Sequence, residues 1–289
     1  MKIGITSRDY ERYGFGEGAR IAHEQGFDCF DFGGFMNTET EFFKLPEREF
    51  KAELLKIKKA YNDGGIAVWQ VHAPWCYPPK DSTPEERAVR LEAFLKAVRG
   101  ASYLGSPNIV VHAIMPFGVN SPDNPELMRD INAEFMGRLA EEALEYGVEH
   151  INVENLPFPN LPINHTHQCL DFVKRMNRET NSRIFKVCLD TGHSNFCGEN
   201  PADAARMLGR EYLGTLHVHD NDGKGDQHRL PGNGTIDWED FSNALAEIGF
   251  DGCVSLETAI PSSIPNGEER YKLEKELADF TRRIARINN

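Results

Sequence analysis

From its first residues the chain alternates between two kinds of apolar patterning. Short runs rich in apolar and β-branched residues fall at 2–6, 27–31, 66–72, 108–112, 150–154, 185–190, 214–219 and 253–257. Their lengths suit strands. Between them lie longer stretches whose apolar residues recur three and four positions apart, the spacing of one helical face. The clearest spans 84–104, with Ala88, Leu91, Leu95 and Val98 on one stripe. Thr83 with Glu86 three residues on makes a capping-box pattern, Pro84 suits the first helical position, and Gly105 suits the stop. Similar stripes occur at Phe50, Leu54 and Ile57, at Ile131, Phe135 and Leu139, and at Leu273, Leu277, Phe280 and Ile284. Shorter helices are expected over 16–25, 165–176, 201–208 and 238–248. No linker-like segment interrupts the rhythm. Open doubly wound sheets usually stop at roughly five to seven strands, so eight strand-then-helix units predict an α/β fold of another kind. The expectation is a single (β/α)8 TIM barrel domain over residues 1–289.

The placement of ionisable residues adds chemistry to this outline. Six predicted strands carry one at or next to the C-terminal end: His72, His112, Glu154, Asp190, His217 and Glu257. In a parallel barrel those ends share one mouth, where barrel enzymes keep their reactive groups. Asp190-Thr191-Gly192-His193 adds an imidazole three residues after a carboxylate, with Gly192 expected to permit a tight turn. Asp226-Gln227-His228 puts two further side chains on the same side of an extended segment. Read singly, each His is a hydrogen-bonded structural residue, each Glu half of an ion pair, and Asp190 a cap. Read together, they bury several like charges, and a divalent cation is the simplest way to offset clustered carboxylates. His219, two residues after His217, either joins the site or supports it by hydrogen bonding. His23, His150, His165 and His167 read as solvent or packing residues, and 231–234 as a turn.

Composition narrows the partners. The 289 residues carry 32 Lys and Arg against 45 Asp and Glu, a formal charge of −13, which opposes nucleic-acid binding through a broad basic face. It leaves open phosphate held through metals. The N-terminal ten residues read as a strand rather than a secretory signal. No apolar run approaches the ~20 residues of a membrane span, so a cytoplasmic protein without membrane contact is expected. Six dispersed cysteines without Cys-x-x-Cys pairs read as reduced thiols.

The ordered series Val71-His72-Ala73-Pro74, Val111-His112, Val153-Glu154-Asn155, Asp190-Thr191-Gly192-His193, His217-Val218-His219-Asp220, Asp226 to Gly234 and Leu256-Glu257-Thr258 resembles the xylose isomerase-like TIM barrel superfamily over nearly the whole chain. Resemblance to its sugar isomerases and ketose 3-epimerases implies one divalent metal (Mn, Co, Mg or Zn) held by Glu154, Asp190, His217 and Glu257. It implies Glu154 and Glu257 as the acid/base pair, with His193 and His228 orienting substrate hydroxyls. Resemblance to endonuclease IV, which acts on abasic DNA, implies up to three zinc ions, with His72, His112, His193, Asp226 and His228 added to the ligands. The loops after His112 (Ala113-Ile114-Met115-Pro116) and Glu154 (Asn155-Leu156-Pro157-Phe158-Pro159) depart from that branch. Trp75, Tyr77, Phe117 and Phe158 supply apolar or stacking surface suited to a carbohydrate, and Trp75, Phe117, Phe158 and His219 are the candidate substrate contacts. Charge distinguishes the branches as well. Three carboxylates outweigh one divalent ion and suit a neutral polyol, whereas four carboxylates with three ions would attract phosphate. The leading expectation is therefore a metal-dependent sugar or sugar-phosphate isomerase or epimerase moving a proton next to a carbonyl, with homo-oligomers common among such relatives. A zinc phosphodiesterase comes second and a non-catalytic carbohydrate-binding subunit third. Loops 75–82 and 116–125 would set the substrate.

Overall fold

All eight predicted strands form in a computed structural model that describes residues 1–120, 122–258, 260, 264–265 and 267–286. They are β1 (Lys2–Thr6), β2 (Cys29–Phe32), β3 (Ala67–His72), β4 (Asn108–Val111), β5 (His150–Glu154), β6 (Phe185–Asp190), β7 (Leu213–His217) and β8 (Cys253–Leu256). From β1 to β7 each strand pairs in parallel with its sequence neighbours, and β1 also pairs in parallel with β8. The remaining gap, between β7 and β8, is bridged where Val218 opposes Leu256. The result is a nearly closed (β/α)8 barrel. Where predicted bounds move, local hydrogen bonding explains it. Strand β2 starts at Cys29 rather than residue 27 because the Phe27 N–H still bonds back to the Ala22 carbonyl of the preceding helix.

The helices are α1 (Phe15–Gln25), α2 (Glu41–Lys44), α3 (Glu47–Asp63), α4 (Pro84–Leu104), α5 (Pro125–Tyr146), α6 (Thr166–Glu179), α7 (Thr191–Phe196), α8 (Pro201–Tyr212), α9 (Trp238–Glu247) and α10 (Glu268–Ile284). Helix α4 has the predicted bounds, with a reciprocal Thr83–Glu86 capping box and Gly105 in the left-handed conformation at its end. Its buried face differs from the expected stripe. Leu95 and Val98 are buried, but Ala88 is exposed and Leu91 half-buried. A 21-residue helix rises about 31 Å, longer than the six-residue strand it follows, so its first turns outreach the barrel wall. Two short helices lack any periodic signal. α2 is four residues long, and α7 occupies the segment where a tight turn was expected at Gly192.

Alternation along the strands sorts the interior. Ile109, Val111, Ile151, Val153, Val187 and Leu189 join the apolar layer beneath the helices. Their alternates point into the barrel, and many are polar: Asp31, Gln70, Asn108, Asn152, Thr215 and Ser255 are all nearly or fully buried. The uppermost layer of this polar interior is the site. The six cysteines are free thiols, and among the described residues no helix is long and apolar enough to cross a membrane.

Candidate metal centre

Strand ends deliver the first group of side chains. Glu154, at the end of β5, lies at the centre: Oε1 is 3.0 Å from His217 Nδ1, and Oε2 is 3.0 Å from His112 Nε2 and 3.4 Å from His72 Nε2. Glu257, just beyond β8, places Oε2 3.1 Å from the same His217 nitrogen. Asp190 ends β6 and also caps α7, accepting from the His193 N–H at 2.7 Å. The capping role and the site role therefore coexist. Donor atoms of Glu154, Asp190, His217 and Glu257 all lie within 4.8 Å of one another, as do those of His72, Glu154 and His217.

A second cluster lies beside the first. His193, His219, Asp226 and His228 bring their donor atoms within the same limit. Asp226 and His228 meet at 3.2 Å, but not through an extended segment, because His228 adopts a left-handed φ of 46°. His219 is fully buried, with Nε2 3.0 Å from Asp190 and its ring stacked 3.9 Å from that of His228. Gly192 serves this packing rather than a turn. A Cβ there would sit 1.9 Å from the His219 ring.

Backbone carbonyls fix three imidazoles. Nδ1 lies 2.7 Å from the Ala73 carbonyl in His72, 2.8 Å from that of Asn155 in His193, and 2.8 Å from that of Glu257 in His228. A carbonyl only accepts, so Nδ1 carries the proton and the neutral ring presents a lone pair at Nε2. Those lone pairs face Glu154 in His72, and Asp226 at 3.5 Å in His193 and 3.2 Å in His228. Two electron-rich atoms at such range repel unless a proton or cation lies between them. Without a cation the site resorts to protons. Burial alone would push His193 down, but Asp190 and Asp226 raise it to about 10, and Asp226 and Glu257 likewise raise His228 to about 9. Burial opposes ionisation of Glu154, yet His217 and His112 hold it well below the usual carboxylate range. His112, with Nδ1 buried and unpartnered, is lowered by burial. This donor set of nitrogen lone pairs and ionised oxygens fits divalent cations.

The site opens into a cavity of about 570 Å³, within the size range of small-molecule sites. His72, His112, Glu154, His193, Asp226, His228 and Glu257 line it, with Trp75 and Phe158 among the apolar walls. The Trp75 ring stands edge-on to His112, and Tyr77 stacks on Phe158. Phe117 is 46% exposed and does not line this cavity, and neither does His219. Ser121, within the 116–125 loop, lies outside the described residues. The 231–234 turn holds no free anion cradle. Its Gly232 N–H bonds the Asp220 carboxylate at 3.0 Å, and a Cβ on Gly234 would strike the same group.

Reasoning from sequence missed other neighbours. Thr6, at the end of β1, and Arg8 and Asp9, in the short 3-10 turn that follows it, line the cavity, and Asp31 lies beneath His217. Burial pushes the Asp9 carboxyl up to about 6 despite Arg270 and Arg12. Because the folded chain holds that proton more tightly than the unfolded one, this group's contribution to stability falls as pH rises from about 4 to 6. Urea midpoints of wild type and Asp9→Asn measured across that window should show the wild type losing stability relative to the variant. Parallel curves would show that Asp9 titrates normally.

The profile of the xylose isomerase-like TIM barrel family matches residues 19–284. The chain belongs to that family. Among its relatives, an uncharacterised protein of Methanocaldococcus jannaschii is 32% identical over 191 residues, spanning 65% of this chain and 63% of that protein. The match thus spans less than two thirds of that relative's length. A D-psicose 3-epimerase of Enterocloster bolteae is 26% identical over 227 residues, 76% of this chain and 70% of its own. The structure of D-psicose 3-epimerase with D-tagatose from Clostridium cellulolyticum H10 superposes with a TM-score of 0.77 at 22% identity, covering 98% of this chain and 99% of that one. At that identity the superposition establishes the shared barrel of this family.

Proposed function

We propose that this family member is a divalent-metal-dependent sugar isomerase or epimerase that moves a proton at the carbon beside a carbonyl. One observation carries the reading: Glu154 and Glu257 converge on a single His217 nitrogen, at 3.0 and 3.1 Å, at the floor of a sugar-sized cavity. The kinship with D-psicose 3-epimerase supports the substrate class. Glu154, Asp190, His217 and Glu257 would hold the ion, Mn, Co or Mg being favoured by three oxygen donors and one nitrogen. When bound, it would polarise the substrate's carbonyl and neighbouring hydroxyl oxygens. The side chain of Glu257 is 22% exposed and that of Glu154 1%, so of these two carboxylates Glu257 is the more open to the cavity. As base it takes the proton from carbon, and the C–H electrons form the enediolate double bond as the carbonyl's electron pair moves onto its oxygen. Glu154, after taking up a solvent proton relayed through His112 at 3.0 Å, delivers that proton from the opposite face. Return to the same carbon gives the epimer; return to the former carbonyl carbon, with the hydroxyl proton crossing from one oxygen of the enediolate to the other, gives the isomer. His193 and His228 orient hydroxyls, while Trp75 and Phe158 shield the reacting carbons from water.

The second cluster supports a second reading. Its three imidazoles and Asp226 could take further ions, up to three with the first site, and so generate the positive field that a phosphodiester needs. A panel of ketoses and an abasic DNA duplex, each incubated with Mn²⁺-loaded and Zn²⁺-loaded enzyme, separates the two. Conversion of a ketose with the duplex left intact is expected. Duplex cleavage without ketose conversion would reverse the assignment.

A further inference from the structure

Asp31 lies on β2, points into the barrel and is 4% exposed. Its Oδ2 is 2.9 Å from Nε2 of His217 and accepts a hydrogen bond from the Gln70 amide at 2.9 Å. Gln70 is itself fully buried and also reaches the Leu216 carbonyl at 3.4 Å, beside His217 in the chain. The other nitrogen of the His217 ring, Nδ1, is the one facing Glu154 and Glu257.

A neutral imidazole has one N–H and one lone pair, and an ionised carboxylate can only accept. Carboxylates face both ring nitrogens; once a cation held by Glu154 and Glu257 occupies the Nδ1 side, Asp31, which only accepts, keeps the N–H on Nε2 and leaves the lone pair on Nδ1. We propose that Asp31 is a positioning residue for the metal centre. It holds His217 in the tautomer and ring orientation that present Nδ1 to a divalent ion, and Gln70 anchors it. The contrast with the neighbouring imidazoles carries the point. His72, His193 and His228 each commit Nδ1 to a backbone carbonyl and would offer Nε2. His217 is turned the other way, and its N–H faces a buried carboxylate instead of a carbonyl. A charged acceptor strengthens the hydrogen bond and makes the opposite nitrogen a better donor. The inference rests on reading the quartet as a metal site, and it is independent of which sugar, if any, is converted.

The test uses the full-length protein and Mn²⁺ alone, with free ion counted by electron paramagnetic resonance. Asp31→Asn keeps the shape and removes the charge, and it should weaken Mn²⁺ binding by about 10–100-fold. Gln70→Leu, which frees Asp31 without altering it, should weaken binding in the same direction by less. It carries the test if Asp31→Asn does not fold. A readout that mere structural damage would not reproduce is the ¹⁵N-histidine spectrum of the Mg²⁺-loaded wild type, where His217 should keep its proton on Nε2. A proton on Nδ1, or Mn²⁺ affinity within twofold of wild type in the folded variants, would overturn the proposal. Wild-type protein that binds no Mn²⁺ would overturn it together with the quartet. Binding weakened as expected in a protein that converts no ketose would leave Asp31 in its role and remove only the sugar reading.

Discussion

Replacing Glu154 with Gln should lower kcat on a converted ketose by 10²–10⁴-fold, the range lost with a positioned acid or base. The amide keeps the size of the carboxylate but neither its charge nor its basicity. Glu154 touches His217, His112 and His72 at once, so the change also unbalances imidazoles that depend on that charge. Glu257→Gln should cost as much, for a different reason. Its carboxylate is the more exposed of the pair and takes the proton from carbon in the proposed mechanism. The two variants therefore differ in partial reactions. Glu257→Gln should lose exchange of the substrate's carbon-bound proton with solvent. Glu154→Gln should retain some of it whenever proton abstraction survives and delivery does not. Steady-state kinetics at saturating Mn²⁺, with circular dichroism to confirm the fold, checks both. Normal kcat in either variant would remove that residue from the mechanism.

Stripping metal with a chelator should abolish turnover and lower the thermal midpoint, and Mn²⁺ should restore both. A ligand held at a thousand times its Kd stabilises the native state by about 4 kcal/mol, worth on the order of 10 °C in a chain of this size. The structural reason is the facing of lone pairs and carboxylates in both clusters, which a cation relieves and protons relieve less well. Differential scanning calorimetry of chelated and reloaded protein supplies the comparison. An unchanged midpoint with full activity after exhaustive chelation would rule out the metal-dependent mechanism.

Much of this site was legible in the sequence because a parallel barrel converts position along the chain into position in space. Once eight strands are recognised, residues at their C-terminal ends must meet, and the nine expected ligands His72, His112, Glu154, Asp190, His193, His217, Asp226, His228 and Glu257 fall in the two adjoining clusters or directly beside them. Asp31 shows the same rule left unapplied. It ends the predicted 27–31 strand and could have been found by extending the strand-end count to β2. Other misses have no such signal. Arg8 and Asp9 reach the cavity from a three-residue 3-10 turn and Met36 from a loop, segments whose course depends on packing that no period encodes. Gly192 was misread because a glycine signals permissive backbone and close approach equally well, and only the position of His219 decides between them. Helix α4 likewise kept its ends but not its stripe. Caps are local, whereas the buried face depends on where the barrel wall stops.

Proton transfer between two carboxylates on opposite faces of the substrate is the central claim, and converting a ketose in D₂O tests it most directly. Because the proton removed by Glu257 and the one delivered by Glu154 are different, the product should carry one solvent-derived deuterium at the carbon that received it, visible by proton NMR from the first turnovers. Product formed without deuterium at that carbon would contradict the account.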